Sequence, residues 1–163
     1  MISFHQGDAT DPGIRYRYAI VHILSDTGAY GAGFAKAIAQ RYPTAPRRFR
    51  DLDGYKLGTA QWVAVGRDLP GRYAWWDRWV VNMIAQRGLR SADNPKPLDL
   101  DALHDCLLAV AAGNESTIVM PRIGCGLAGG SWSQVGPIVD ATIGHLDVRV
   151  FDPYAPGVTR LRG

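Results

Sequence analysis

Two glycine-rich segments hold the residues best suited to chemistry in this sequence. The first, SDTGAYGAGFAKAI at 25–38, carries glycines at 28, 31 and 33 and runs directly into a helical pattern. The second, MPRIGCGLAGGSW at 120–132, carries glycines at 124, 126, 129 and 130 and also precedes a helical pattern. Glycine permits close approach of the backbone, and the N–H groups that begin a helix form an anion site. Both segments therefore predict contact with a phosphate.

The spacing of these glycines disfavours two common nucleotide-binding motifs. The first segment reads G-x-x-G-x-G, which is not the dinucleotide fingerprint G-x-G-x-x-G, and G-x-x-x-x-G-K-[ST] occurs nowhere in the chain. A Rossmann dehydrogenase and a P-loop NTPase are thus disfavoured. The alternative interpretation is that the glycines serve only tight turns and helix packing. Two such loops in matching positions after strands favour the phosphate hypothesis.

The surrounding pattern predicts a three-layer α/β/α sandwich with a central mixed sheet. Short β-branched and aromatic runs alternate with helical patterns, which is typical of a sheet covered on both faces. The predicted strands are 2–6, 18–24, 60–65, 79–84, 117–120 and 148–151, and the predicted helices are 32–42, 45–53, 99–112 and 132–145. Each glycine segment follows a strand, so we expect both at the carboxyl edge of the sheet, where ligands bind. The two segments would face each other if those strands are neighbours.

Two helices have informative ends. The helix at 99–112 places apolar residues three and four positions apart, with Asp99 as its N-cap and Gly113 at its end. The last helix offers a capping box at Ser131 and Gln134, but Pro137 would then lie inside it. We therefore predict a short first turn, with the main helix beginning near Pro137.

Composition limits the classes of protein to consider. A chain of 163 residues fits one domain over 1–163, with 153–163 as a C-terminal tail. No signal peptide, membrane span or metal-ligand spacing is recognisable, and the two cysteines give no disulfide framework. These features predict a cytoplasmic, monomeric protein without membrane contact, metal or cofactor.

Two motifs could indicate nucleic-acid binding. The net charge of +3 is mild, and its one arginine cluster, at 47, 48 and 50, is typical of a solvated helix face. The aromatic run YAWWDRWVV at 73–81 could stack bases, but alternation along a hairpin or edge strand explains it more simply. We do not expect a nucleic-acid partner.

The chain resembles the macrodomain family of ADP-ribose-binding modules across nearly its whole length. The resemblance lies in HQGDAT, IVHILSDTGAYGAGFAKAIAQRYP, VVNMIAQRG, LDALHDCLLAVA, MPRIGCGLAGGSW and VRVFD, in that order. The second and fifth segments are the most specific, and they resemble the branch that contains the terminal ADP-ribose glycohydrolases. The expected partners are ADP-ribose and ADP-ribosylated proteins.

The resemblance implies roles for residues at matching positions. Asp8, with the Ala9 backbone beside it, would accept a hydrogen bond from the adenine amine. The glycine segments would contact the distal ribose and the diphosphate. Their implied ligand-binding residues are Ser25, Asp26, Thr27, Gly28, Tyr30, Gly31, Ala32 and Gly33 in the first segment, and Ile123, Gly124, Cys125, Gly126, Leu127 and Ala128 in the second.

The sequence departs from the glycohydrolases at their two catalytic positions. Gln86 stands where those enzymes have a lysine nucleophile, and Ala128 where they have an assisting aspartate. Glutamine cannot form a Schiff base, so covalent lysine catalysis is excluded. Removal of ADP-ribose from an acidic side-chain ester would then use a positioned water. The catalytic candidates for that route are Gln86, Asp26 and Ser25.

Two other functions stay open at this point. Removal of phosphate from ADP-ribose 1″-phosphate would use His22 or Asp26 as the acid or base, although His22 lies in an apolar strand typical of a structural histidine. The third hypothesis is an ADP-ribose reader without catalysis. Cys125 has no identifiable partner for a nucleophilic role, so we interpret it as a small packing residue.

Overall fold

A six-stranded sheet organises the part of the chain that the computed structural model describes, residues 1–153. The predicted tail beyond Pro153 lies outside the described residues. The elements in chain order are β1 (Ile2–Gln6), β2 (Tyr18–Ser25), α1 (Gly33–Arg41), α2 (Thr44–Arg50), β3 (Ala60–Ala64), β4 (Arg78–Gln86), α3 (Leu100–Ala111), β5 (Thr117–Met120), α4 (Trp132–Ile143) and β6 (Asp147–Asp152). A single 3₁₀ turn, Gly66–Asp68, follows β3.

The order of the strands confirms the predicted mixed sheet. It runs β1-β6-β5-β2-β4-β3, with every neighbouring pair parallel except the antiparallel pair of β3 and β4. Since β2 lies between β5 and β4 and is parallel to both, the segments that follow these three strands meet at the carboxyl ends of the strands. The strands that precede the two glycine segments, β2 and β5, are therefore neighbours, as the predicted facing of the segments requires.

Helices cover both faces of the sheet. Residues of α3 and α4 pack with alternate residues of the strands in one core cluster, and residues of α1 and α2 pack with the others in a second cluster. Along β2, Ala19 and Val21 face the first cluster while Ile20 and Leu24 face the second. Coverage on both sides explains why this strand reads as a continuous apolar run.

The described helices include one correction to the sequence interpretation. The prediction that the last helix begins near Pro137 is wrong, because α4 runs unbroken through that residue from Trp132 to Ile143. Pro137 and Ser133 are both exposed, so water can reach the Ser133 carbonyl that a residue with an N–H group would have paired. The capping box at Ser131 and Gln134 is present. None of the described helices is long and apolar enough to cross a bilayer.

The N-cap predicted for α3 is confirmed, since the Asp99 carboxylate accepts a hydrogen bond from the Ala102 N–H at 2.9 Å.

Shortening a buried leucine on α3 tests the orientation of this helix. Leu103 is fully buried, so Leu103→Ala should lower the free energy of unfolding by about 2 to 5 kcal/mol through lost burial and a cavity. Leu108 on the same helix is 48 % exposed, so Leu108→Ala is the matched control. Equal losses in denaturant titrations of the two variants would contradict the packing described.

Candidate functional site

A cleft of about 530 Å³ opens at the carboxyl ends of β2, β4 and β5. One wall comes from the end of β2, the loop after it and the first turn of α1, and the opposite wall from the loop after β5. The residues that line it are His22, Ile23, Leu24, Ser25, Ala29, Tyr30, Gly31, Ala32, Gly33, Phe34, Ala35, Gln86, Leu89, Pro121, Arg122, Ile123, Gly124, Gly126, Leu127 and Ala128. The two glycine segments thus form opposite walls of one cleft.

The cleft brings together most of the residues implied by the resemblance. Ser25, Tyr30, Gly31, Ala32, Gly33, Gln86, Ile123, Gly124, Gly126, Leu127 and Ala128 line it, whereas Asp8, Ala9, Asp26, Thr27, Gly28 and Cys125 lie outside its lining. Leu127 links the walls, since its Cδ1 lies 3.2 Å from the point that a Cβ on Gly33 would occupy. The cleft is therefore narrow between the two loops.

The glycines of the two loops divide into packed and open positions. A Cβ on Gly28 would lie 2.3 Å from the Tyr55 ring, and one on Gly124 would lie 2.9 Å from Leu98. Both glycines also have positive φ, which glycine adopts without strain. By contrast, Gly31 and Gly126 have no atom within 4 Å of an added Cβ. Packing requires the first pair to be glycine, but it does not explain the second pair.

The N-terminus of α1 is open toward the cleft. Its N-cap residue, Ala32, offers no side-chain hydrogen bond, and the first turn carries no acidic residue. The first N–H groups of a helix have no partner within the helix, and the helix dipole places partial positive charge there. Ala32, Gly33 and Phe34 line the cleft, so these donors are available to a bound anion.

The three catalytic candidates converge on the backbone of Gly88. The Ser25 hydroxyl donates to the Gly88 carbonyl at 2.7 Å, and the Gln86 Nε2 donates to the same oxygen at 3.1 Å. The Asp26 Oδ1 accepts from the Gly88 N–H at 2.8 Å. These bonds hold the chain after β4 against the start of the first loop. They leave Gln86 Oε1 without a hydrogen bond among the described residues.

A buried polar network supports the first loop from beneath. Asn82 Oδ1 accepts from the Tyr30 hydroxyl at 2.7 Å and from His22 Nε2 at 2.8 Å. The Asn82 Nδ2 donates to the Ala45 carbonyl at 3.2 Å and to Gln61 Oε1 at 3.1 Å. Burial raises the pKa of Tyr30, so its hydroxyl stays protonated and can donate. Asn82 is fully buried and serves this structural network.

His22 is neutral in this network. Burial lowers its pKa from 6.5 to about 4, and the bond to Asn82 opposes that shift. Asn82 Oδ1 can only accept a hydrogen bond, so His22 Nε2 must be the donor and must carry the proton of the neutral ring. Nδ1 is buried without a hydrogen-bond partner among the described residues. A ring held this way fixes Tyr30 and carries no mobile proton near neutral pH.

The sequence interpretation missed Arg122. Its guanidinium makes two hydrogen bonds to the Asp152 carboxylate, at 2.7 and 2.9 Å, and lies over the rings of Phe4 and Trp132. This pair ties the second loop to the end of β6. No local pattern could have revealed it, because the two partners lie 30 residues apart.

Asp8 lies beside this anchor. The Gly7 N–H donates to the Asp152 carbonyl at 2.8 Å, which places the β1 loop next to the second loop. Asp8 is exposed, and its Oδ1 accepts from the Thr10 N–H and hydroxyl, each at 2.8 Å. Its other oxygen makes no hydrogen bond among the described residues. A carboxylate oxygen is thus available just beyond the cleft.

Cys125 lies in the second loop, but its surroundings do not favour a catalytic role. Its thiol donates to the Ile123 carbonyl at 3.4 Å, and burial raises its pKa. A thiol with a raised pKa is a weak nucleophile at neutral pH. The geometry agrees with the interpretation of Cys125 as a packing residue.

The network predicts a pH dependence of stability. The folded-state pKa of His22 lies below its unfolded value, so the unfolded state binds the extra proton between about pH 6.5 and 4. The stability that His22 contributes is complete above pH 6.5 and is lost as the pH falls through 4, with a total of about 3 kcal/mol. His22→Gln keeps a donor near Asn82 but does not titrate. The free energy of unfolding of the wild type, relative to that of His22→Gln, should fall by about 3 kcal/mol as the pH is lowered from 7 to 4. A relative stability that does not change with pH would exclude a neutral buried His22.

Comparisons with known proteins agree with this architecture. No protein-family model matches the sequence, and a search of curated proteins gives no match either. Among solved structures, a protein of unknown function from Bacteroides thetaiotaomicron is 31% identical with a TM-score of 0.80, over 93% of this chain and 98% of that chain. Thermosipho africanus DarTG in complex with ADP-ribose matches at 17% identity and a TM-score of 0.71, over 99% of this chain and 43% of that chain, which shows the fold alone.

A macrodomain protein from Streptomyces coelicolor decides the family. It is 33% identical with a TM-score of 0.73, and the match covers 93% of this chain and 99% of that chain. With one residue in three identical over nearly the full length of both proteins, this chain belongs to the macrodomain family.

Proposed function

We propose that this macrodomain binds ADP-ribose in the cleft and hydrolyses the ester that joins ADP-ribose to an acidic side chain of a modified protein. A positioned water, and not a lysine, attacks the ribose carbon. The observation that carries the proposal is the pair of open glycines, Gly31 and Gly126, on opposite walls of a cleft that ends at the uncapped N-terminus of α1.

Three features support ADP-ribose as the ligand. The open backbone at Gly31 and Gly126 and the free N–H groups of α1 suit a diphosphate, which offers anionic oxygens on both sides. The free oxygen of Asp8 suits an exocyclic adenine amine, which donates hydrogen bonds. Thermosipho africanus DarTG, of which 43% matches this fold, was solved in complex with ADP-ribose.

The side chains of the cleft favour a route with little proton transfer by the protein. Among residues 1–153, no lysine, aspartate or glutamate lines the cleft, and the histidine that lines it, His22, is neutral and bonded to Asn82. The Gln86 Oε1 can accept a hydrogen bond from a water and orient it. An acyl ester of ribose has a good leaving group, so positioning and electrostatic stabilisation supply most of the rate.

A reader without catalysis is the second candidate. The part of the chain that the structure describes contributes no carboxylate or lysine side chain to the cleft lining, which favours a reader. Phosphate removal from ADP-ribose 1″-phosphate has weaker support, because His22 is buried and Asp26 lies outside the lining with its Oδ1 bonded to Gly88. Binding and hydrolysis are therefore tested separately.

The binding test uses two glycines that differ in packing. We expect ADP-ribose to bind in the micromolar range, about −7 to −8 kcal/mol, and AMP to bind far more weakly. Gly126→Val should weaken ADP-ribose binding at least about 100-fold in calorimetry, with the thermal transition unchanged, because its side chain fills open cleft space.

Gly124→Val is the packing control. Its positive φ alone costs about 1 to 2 kcal/mol, and Leu98 leaves no room for the side chain, so it should lower the unfolding temperature. If Gly126→Val unfolds the protein as Gly124→Val does, Gly126 has a packing role and not the proposed contact with the ligand. If Gly126→Val folds and binds ADP-ribose normally, the cleft is not the binding site.

The catalytic test uses Gln86. With a protein carrying ester-linked ADP-ribose as substrate, Gln86→Ala should lower the rate about 10- to 100-fold without abolishing it, because a positioning group supplies only part of the barrier reduction. Gln40, exposed on α1 and outside the cleft, gives the matched control Gln40→Ala.

Borohydride should trap no adduct during turnover. An adduct on Lys36, Lys56 or Lys96 would overturn the water mechanism. Normal ADP-ribose binding with no turnover of ester-linked, serine-linked or phosphorylated substrates would assign the protein as a reader.

A further inference from the structure

A second and larger groove of about 860 Å³ lies along β3, the strand that closes one edge of the sheet. None of the described residues lines both this groove and the cleft, and the function proposed above does not use the groove. Two motifs that are separate in the sequence meet there: arginines of α2 and the tryptophans of the aromatic run. Their meeting gives the groove two chemically different walls.

The first wall is basic. Arg47 and Arg48 extend from α2, and Arg67 from the 3₁₀ turn adds a third guanidinium. Arg47 and Arg67 have no carboxylate partner among residues 1–153, and Arg48 lies 4.0 Å from Asp51 with both side chains 65% exposed. An exposed pair at that distance contributes little, so these cations are available to an anionic partner.

The second wall is aromatic. Trp79 lies 5.9 Å from Trp62 and 6.3 Å from Trp75 between ring centroids, each in an edge-to-face arrangement. Trp75 is 46 % exposed and Trp62 and Trp79 are half-buried. A group of tryptophans that is partly open to solvent is typical of binding surfaces, since each offers a large rigid apolar area.

The floor between the walls is the outer edge of β3. The Val65 N–H donates to the Arg78 carbonyl at 2.9 Å, and in this register the backbone groups of Val63 and Gln61 also face β4. In an antiparallel pair the intervening residues, here 60, 62 and 64, direct their N–H and C=O groups away from the partner strand. No backbone hydrogen bond of residues 1–153 reaches that outer edge.

We propose that this groove binds an extended segment of a partner protein that alternates acidic with apolar or aromatic residues, and that this segment adds to the sheet as a strand beside β3. The open edge supplies the backbone hydrogen bonds, and alternate side chains of an added strand point to opposite faces of the sheet. The Gln61 side chain donates to the Arg48 carbonyl, so it lies on the face of the sheet that carries the arginines. The Trp62 side chain packs on the opposite face. Acidic residues would therefore meet Arg47 and Arg48, and apolar residues would meet the tryptophans.

The charge of the groove favours a peptide over a nucleic acid. Three arginines share the lining with two aspartates, Asp51 and Asp68, which leaves a net charge of only +1. Nucleic-acid binding depends on neutralising many phosphates, whereas a peptide needs only one or two ion pairs. The strand edge also offers hydrogen-bonding groups at the spacing of a peptide backbone, which a nucleotide chain does not match.

The first part of the experiment measures binding of a labelled peptide of about eight residues that alternates glutamate with valine and phenylalanine, by fluorescence anisotropy. The same peptide with alternate backbone nitrogens methylated keeps every charge but cannot pair with the edge. We expect the parent peptide to bind with a Kd below about 1 mM and the methylated peptide to bind at least about tenfold more weakly. Equal binding of the two peptides, or no binding of the parent peptide, would overturn the proposal.

The second part uses variants on one helix. Arg47→Glu combined with Arg48→Glu should weaken peptide binding at least about tenfold, because each change places a negative charge beside a glutamate. Arg50 is exposed on the same helix but outside the groove, so Arg50→Glu should leave binding unchanged. Trp75→Ala should weaken binding through the other wall.

All these variants should bind ADP-ribose normally, because their side chains lie outside the cleft; this separates failure here from failure of the proposed function. Tighter binding of a short oligothymidylate, sensitive to the same arginine changes, would instead assign a nucleic-acid site. Self-association of the protein that the double variant abolishes in sedimentation would assign the edge to a second copy. Either result would overturn the peptide proposal.

Discussion

The carboxamide of Asn82 is the interaction on which the arrangement of this protein depends. From the interior of β4 it bonds to α2 through the Ala45 carbonyl, to β3 through Gln61, to β2 through His22 and to the first loop through Tyr30. Every donor and acceptor of the amide is used, at a position with no solvent access. A buried network of this kind is stable only when complete, since each lost partner leaves an unsatisfied polar group. One side chain thus links β3, at the edge of the sheet, to the loop that forms a wall of the cleft.

Much of the fold could be predicted from the sequence because its signals are local. The apolar run of β2, the spacing of leucines in α3 and the Asp99 cap each depend on residues within a few positions of one another, and the structure confirms them. The facing of the two loops needed one further fact, the pairing of β2 with β5, which chain order alone does not determine. Pro137 misled the interpretation because a rule for helix interiors does not say whether water can reach the unpaired carbonyl.

The parts that the sequence did not reveal depend on contacts between distant residues. Arg122 and Asp152 pair across 30 positions, and Asp26 reaches the Gly88 N–H across 62. The sequence also separates the α2 arginines from the tryptophans, so each motif was interpreted alone as an ordinary surface or strand feature. The arginines and the tryptophans form two walls of one groove only because β3 lies at the edge of the sheet, between α2 and the segment that joins β3 to β4.

The cleft shows how binding and catalysis can depend on different parts of one site. The features proposed to bind an anion belong to the backbone: the open glycines and the first N–H groups of α1. The polar side chains nearby mainly hold that backbone in place, as Ser25, Asp26 and Gln86 do through Gly88. Neither the glutamine at 86 nor the alanine at 128 can act as a lysine nucleophile or an aspartate would, and both leave the backbone groups proposed to contact a diphosphate unchanged. Under the proposed function, such a site would bind its ligand whether or not it turned it over, and the rate of turnover would depend on how well the bound ligand and one water are aligned.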